Sequence, residues 1–117
     1  MRDYKKFKVW QKSHDLTLKI YNVTADFPRE ERYGLISQIR RAAVSITTNI
    51  AEGSGRISDV DFRRFLTIAM GSAKEVEYLA FLSHELKYLN KNRFQEIDND
   101  VKEIEKMLYK LIETLSA

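Results

Sequence analysis

Apolar residues recur every three to four positions along almost the whole chain, and the few glycines and the one proline cut that rhythm into four stretches. The first stretch predicts a helix from about Phe7 to Ala25. Val9, Leu16, Ile20 and Val23 share one face, and Asp26-Phe27-Pro28 stops it. A second helix is predicted after Pro28, near the acidic pair Glu30 and Glu31, which suits a helix N-terminus. Its stripe is Leu35, Ile39, Ala42, Ile46 and Ile50, and Gly53-Ser54-Gly55 ends it. Ser58, with Asp61 three residues on, opens a third helix as a variant capping box. Its face is Phe62, Phe65, Leu66, Ala69, Ala73, Val76 and Ala80, extended by Leu86 and Leu89. The pattern carries it to about Asn90, roughly 32 residues or about 48 Å at 1.5 Å per residue. Asn92 with Gln95 is the predicted cap of a fourth helix striped by Phe94, Ile97, Val101, Ile104, Leu108, Leu111 and Leu115.

Four amphipathic helices with short connections predict an all-α, antiparallel, up-down-up-down four-helix bundle, with residues 1–117 forming one domain. No strand-like alternation or internal repeat competes with that reading, and GSGRIS over 53–58 is the one tract with flexible composition. An isolated bundle needs one apolar face per helix. The first helix carries a second face, in which Trp10, His14, Leu18 and Tyr21 fall together away from Val9, Leu16 and Ile20. The second helix places Val44 and Ala51 opposite its own stripe. Scattered surface hydrophobes are one reading of this; self-association through Trp10, His14, Leu18, Tyr21 and Val44 is the other, favoured because both helices show it.

The second helix also bears a polar stripe, Gln38, Arg41, Ser45, Asn49 and Glu52, within an arc of about 80° at the helical repeat. Such a stripe can hold a ligand or line an interface. The favoured reading is a hydrogen-bonded network that fixes helix packing, with partners sought among Asp61, Arg64 and Glu75.

Composition narrows the chemistry. The 117 residues are 44% hydrophobic and 32% charged, with no cysteine. That removes disulfides, thiolate metal sites and a cysteine nucleophile. No apolar run approaches the 18 or so residues that cross a bilayer, and the charged start, Met1 to Trp10, has no secretion-signal character. A cytoplasmic, non-membrane protein is expected. His14 and His84 stand alone, without HExxH or ExxH spacing, so no metal is expected. Ser45, Ser58 and Ser72 lack the strand-turn-helix setting of a serine nucleophile. GSGR follows a helix and lacks the lysine of a phosphate loop. No catalytic residue and no cofactor is expected.

Net charge is only +3, but it is unevenly spread. Residues 1–57 hold 11 Lys and Arg against 6 Asp and Glu, whereas residues 58–117 hold 9 against 11. Arg40, Arg56, Arg63, Arg64 and Lys74 are the candidates for a basic patch that neutralises phosphates, reading backbone and shape more than sequence.

The segments YGLISQIRRAAVSITTNIAEGSGR and DFRRFLTIAMGSAKEVEYL, with FKVWQKSHDLTLKIYNVTADFP before and KMLYKLIETL after, resemble the bacterial four-helix-bundle family encoded in intervening sequences of large-subunit ribosomal RNA genes. The resemblance covers nearly the whole chain. It extends to the accessory variability protein of diversity-generating retroelements, a barrel-like homopentamer that binds nucleic acid and a reverse transcriptase. It implies the bundle fold, a ring-like oligomer (a pentamer) and hallmark positions at Arg41, Ser45, Asn49, Glu52, Gly53, Arg64, Phe65, Gly71 and Ser72. Three functional readings stay open here. One is a non-enzymatic homo-oligomeric scaffold that binds RNA or DNA and docks a reverse transcriptase. The second is a protein-interaction assembly with no nucleic-acid role. The third is a bundle enclosing a small ligand, which the large residues of its stripes disfavour.

Overall fold

The computed structural model describes residues 2–116, and among them every regular element is helical. Four long helices run α1 (Lys8–Thr24), α2 (Ser37–Ser54), α3 (Asp59–Glu85) and α4 (Lys91–Ser116), preceded by a short turn over Tyr4–Lys6. Each packs on its neighbours in chain order and α1 closes against α4, giving the antiparallel four-helix bundle, 44 × 23 × 20 Å. The predicted stripes supply most of its interior. Leu16, Ile20, Ile39, Ile46, Ile50, Phe62, Leu66, Val76, Ile97, Val101, Ile104 and Leu108 are fully buried.

Polar residues on the inner face of α1 are accommodated within the helix itself. Ser13 donates to the Val9 carbonyl at 2.6 Å, Thr17 to the Ser13 carbonyl at 2.8 Å and Thr24 to the Ile20 carbonyl at 2.6 Å. These bonds satisfy buried hydroxyls that would otherwise cost about 1–3 kcal/mol each. Small residues on α2 let α3 come close. A Cβ built on Gly53 would lie 2.7 Å from the Cβ of Phe65 and 2.9 Å from Cδ1 of Phe62. Gly53→Ala therefore gains about 0.8–1.0 kcal/mol of helix propensity but overpacks at a cost of about 1–3 kcal/mol. The expected result is a lower melting temperature, measured by circular dichroism; an unchanged or higher value would show that α2 and α3 separate freely.

Three boundaries differ from the sequence expectation. The second helix does not begin directly after Pro28. Arg29–Glu31 forms a 3₁₀ turn and Arg32–Ile36 a wide π turn, with Gly34 out of helical geometry at φ −110, ψ −109. Glu31 steadies this corner by accepting from the Leu35 amide at 3.3 Å. The third helix stops at Glu85, short of Asn90, because Lys87 turns left-handed (φ 67) and the amides of Tyr88 and Leu89 fold back on the Ser83 carbonyl at 2.9 and 3.3 Å. That fold-back buries Leu89, while Leu86 faces solvent. The fourth helix is capped by Asn90 rather than Asn92: its Oδ1 accepts from the Arg93 amide at 2.8 Å.

Candidate nucleic-acid interface

Where α2 hands over to α3, one end of the bundle gathers guanidinium groups around two phenylalanines. The Arg56 guanidinium lies 4.6 Å from the centre of the Phe65 ring and Arg64 lies 4.9 Å from the same ring. Arg64 is also 3.4 Å from Asp61, whereas Arg56 is in no ion pair among the described residues. Arg2 joins them from the start of the chain. It pairs with Asp59, donates to the Arg56 carbonyl at 2.6 Å and sits 4.6 Å over the Phe62 ring. Sequence reasoning missed Arg2, because nothing local links residue 2 to residues 56–62. Arg63 reaches across to donate to the Leu115 carbonyl at 3.1 Å, satisfying an acceptor in the last turn of α4, where a cation also complements the helix dipole. This end therefore holds four guanidiniums. Among the described residues Arg2 and Arg64 are paired to Asp59 and Asp61, Asp3 and Glu52 are in no ion pair, and Arg56 and Arg63 are the cations left without a carboxylate for an anion to meet.

The other two residues of the expected patch lie elsewhere. Arg40 is fourteen residues up α2 from Ser54, where the helix ends before Arg56, about 21 Å along the helix axis. It is held by donating to Thr24 Oγ1 at 2.8 Å and to the Tyr21 carbonyl at 3.2 Å, with its guanidinium 4.6 Å over the Tyr21 ring. Lys74 spans the groove between α3 and α4, 3.0 Å from Glu105 and 3.4 Å from Glu77. Its ammonium is held above the ordinary lysine value, chiefly by the hydrogen bond to Glu105. The Glu105 carboxyl is pushed up, first by burial and then by its hydrogen bond to Glu77, and that same bond holds Glu77 below the usual carboxylate range. Lys74 thus acts as a brace between two helices. The five predicted cations do not form one continuous patch.

Of the polar stripe on α2, the middle is joined. Ser45 Oγ and Ser72 Oγ are 2.8 Å apart across the α2–α3 contact, and Asn49 donates to the Ser45 carbonyl at 2.8 Å and to Ser45 Oγ at 3.1 Å. Gln38 is 3.4 Å from Glu75 at an exposed edge. Arg41 and Glu52 are exposed and make no side-chain hydrogen bond or ion pair among the described residues, so the network is narrower than the stripe. Asp61 and Arg64, expected as its partners, pair with each other at the bundle end.

The second face of α1 lies on the outside. Leu18 is 57% exposed and Tyr21 43%, and across from them on α2 Val44 is 38% exposed. Trp10 is half-buried, stacked on His14 at 5.0 Å with Tyr4 edge-on at 4.8 Å.

A family model described as 23S rRNA-intervening sequence protein matches residues 5–110. The chain belongs to that family. A solved structure, described as a protein of unknown function from the S23 ribosomal protein family of Bacteroides thetaiotaomicron VPI-5482, is 31% identical. It covers 89% of this chain and 97% of its own, with a TM-score of 0.80. No curated protein matches the chain significantly. Membership of the 23S rRNA-intervening sequence family accounts for the fold. Among the described residues no helix is long and apolar enough to cross a membrane, and no group of three or more His, Cys, Asp or Glu is placed to hold a metal ion.

Proposed function

We propose that the protein is a non-enzymatic subunit of a homo-oligomeric scaffold, a ring of five if the sequence resemblance to the retroelement accessory protein extends to assembly, that binds RNA or DNA at the bundle end built by Arg2, Arg56, Arg63 and Arg64. A reverse transcriptase is its candidate protein partner. The observation that carries the reading is the pair of guanidiniums on Phe65, with Arg56 free of any carboxylate in the described residues. A guanidinium fixed on an aromatic ring loses little freedom when it meets a phosphate, and it presents its donors in a planar fork. The outer apolar face of α1 and α2 supports the assembly, which would multiply each weak phosphate contact by the number of subunits.

Binding through about three phosphates per subunit predicts that affinity for a structured RNA falls on the order of ten- to fiftyfold between 50 and 200 mM salt. Electrophoretic mobility shift at stepped salt measures this, and Arg56→Glu with Arg64→Glu should abolish most of the shift. Salt-insensitive binding, or no shift with either structured RNA or duplex DNA, would remove the nucleic-acid role. That outcome would favour the second reading, a protein-interaction assembly, for which the engagement of Arg63 and Lys74 by partners within the chain already speaks.

A further inference from the structure

At the opposite end of the bundle, the corner between α1 and α2 forms a cleft of about 540 Å³ whose lining includes Arg29, Arg32, Arg40, Arg41, Tyr21 and Tyr33. No carboxylate lines it. The wide turn at Arg32–Ile36 forms one wall of the cleft, to which it contributes Arg32, Tyr33 and Ile36. Asp26, Glu30 and Glu31 belong to the same stretch of sequence, yet none lines the cleft, and Glu31 is turned to the Leu35 amide and the Tyr88 hydroxyl. Arg29, Arg32 and Arg41 are exposed and in no ion pair among the described residues. Arg40 is already fixed by Thr24 and Tyr21, so one guanidinium stands pre-positioned at the cleft wall. Tyr33 is 89% exposed, an aromatic ring beside four cations with nothing of this chain covering it.

We infer that this cleft is a second binding site, for single-stranded nucleic acid, in which the arginines take backbone phosphates and an unpaired base stacks on Tyr33. Phosphate-binding cations beside an open aromatic platform are the two elements that single-strand recognition requires. A duplex cannot use the platform, because its bases are already stacked. The site rests on the nucleic-acid reading above but uses different residues, about 21 Å along α2 from its end at Ser54.

The test is fluorescence anisotropy of the full chain with a labelled oligouridine about ten nucleotides long, within the usual single-strand site sizes, and with a labelled DNA duplex. Tyr33→Ala removes a solvent-exposed ring, so the fold should be kept. It is expected to weaken oligouridine binding about fivefold or more while leaving duplex binding unchanged. Arg32→Glu should lower the magnitude of the salt slope for oligouridine by about one. Wild-type affinity for oligouridine in both variants would overturn the site, as would the absence of oligouridine binding in the parent protein. Competition by polyglutamate as effective as oligouridine would overturn it too, by identifying an acidic-peptide site. Equal competition by uridine monophosphate at matched phosphate would make it a mononucleotide pocket and overturn the strand assignment. If Arg56→Glu and Arg64→Glu abolish duplex binding while the cleft variants bind normally, the cleft falls and the bundle-end interface stands. The converse pattern keeps the cleft and removes that interface.

Discussion

Phe62→Ala is expected to lower the unfolding free energy by about 3–5 kcal/mol, which for a chain of this size is a fall of about 10 °C or more in melting temperature. Phe62 is 1% exposed and is the largest of the fully buried side chains. Its ring meets Phe7 edge-on at 5.7 Å, lies under the Arg2 guanidinium and closes over Gly53. Removing it therefore loosens both the N-terminal stretch and the end of α2, which come from separate parts of the sequence. Collapse cannot refill the space cheaply, since Gly53 has no side chain to offer and α2 and α3 are already in close contact there. The same geometry predicts a coupling. In Phe62→Ala the methyl of Gly53→Ala loses one of its two clashes, with Phe62 Cδ1, while the one with the Phe65 Cβ remains. The double variant should thus be less destabilised than the two single losses added together. Thermal and urea unfolding of the four proteins measures this. Strict additivity would mean that Gly53 and Phe62 are not in the contact described.

What the sequence could convey follows from which features are local. The buried face of each helix was legible because a 3.6-residue period is written within the helix itself, and residues such as Leu16, Ile46, Leu66 and Ile104 lie inside as that period requires. Ser58 at the start of α3 was legible for the same reason, since its acceptor and the Asp61 amide are three residues apart. The ends that misled are those where tertiary burial decided. A left-handed residue usually betrays itself as glycine, but at the end of α3 it is Lys87, held because Leu89 is buried. The sequence pattern places the cap at Asn92, two residues past the one used. Asn90 is used because it puts Leu89 and Phe94 at the positions that flank a helix start with apolar groups. The candidate sites were legible only as residue types. Arg40, Arg56 and Lys74 look equivalent in sequence, yet one stacks on Tyr21, one stacks on Phe65 and one is clamped by two carboxylates. Arg2 at the bundle end and the cleft lined by Arg29, Arg32 and Arg41 without a carboxylate arise from turns and long-range packing, for which a single sequence has no short-range signal.

Leu18→Glu is expected to dissociate the proposed assembly while leaving each bundle folded. Leu18 stands on the outer face of α1, away from the buried Leu16 and Ile20, and is 57% exposed, so within one subunit a glutamate there stays in water. Substitutions at such positions change the stability of an isolated fold by about 0.5 kcal/mol or less. Between subunits the same side chain would have to be desolvated against Val44 and its counterparts. Losing a buried leucine costs about 1.5–3 kcal/mol per contact, and a carboxylate without a partner adds several more. A closed ring repeats that loss at every interface. The association constant of each contact should then fall by a factor on the order of a hundred or more. Sedimentation velocity at micromolar concentration should show a parent oligomer and a Leu18→Glu monomer with matching helical circular dichroism. Tyr109→Glu, on a comparably exposed residue of α4 away from this face, should remain assembled. A linked test uses heat. Partners that bind only the folded state raise its melting temperature with concentration, so the parent should melt higher as it is concentrated and Leu18→Glu should not. A parent protein that sediments as a monomer would locate the work of this bundle in a lone subunit, and a Leu18→Glu variant that stays oligomeric would move the assembly contact to another face and leave the outer face of α1 without a role in it.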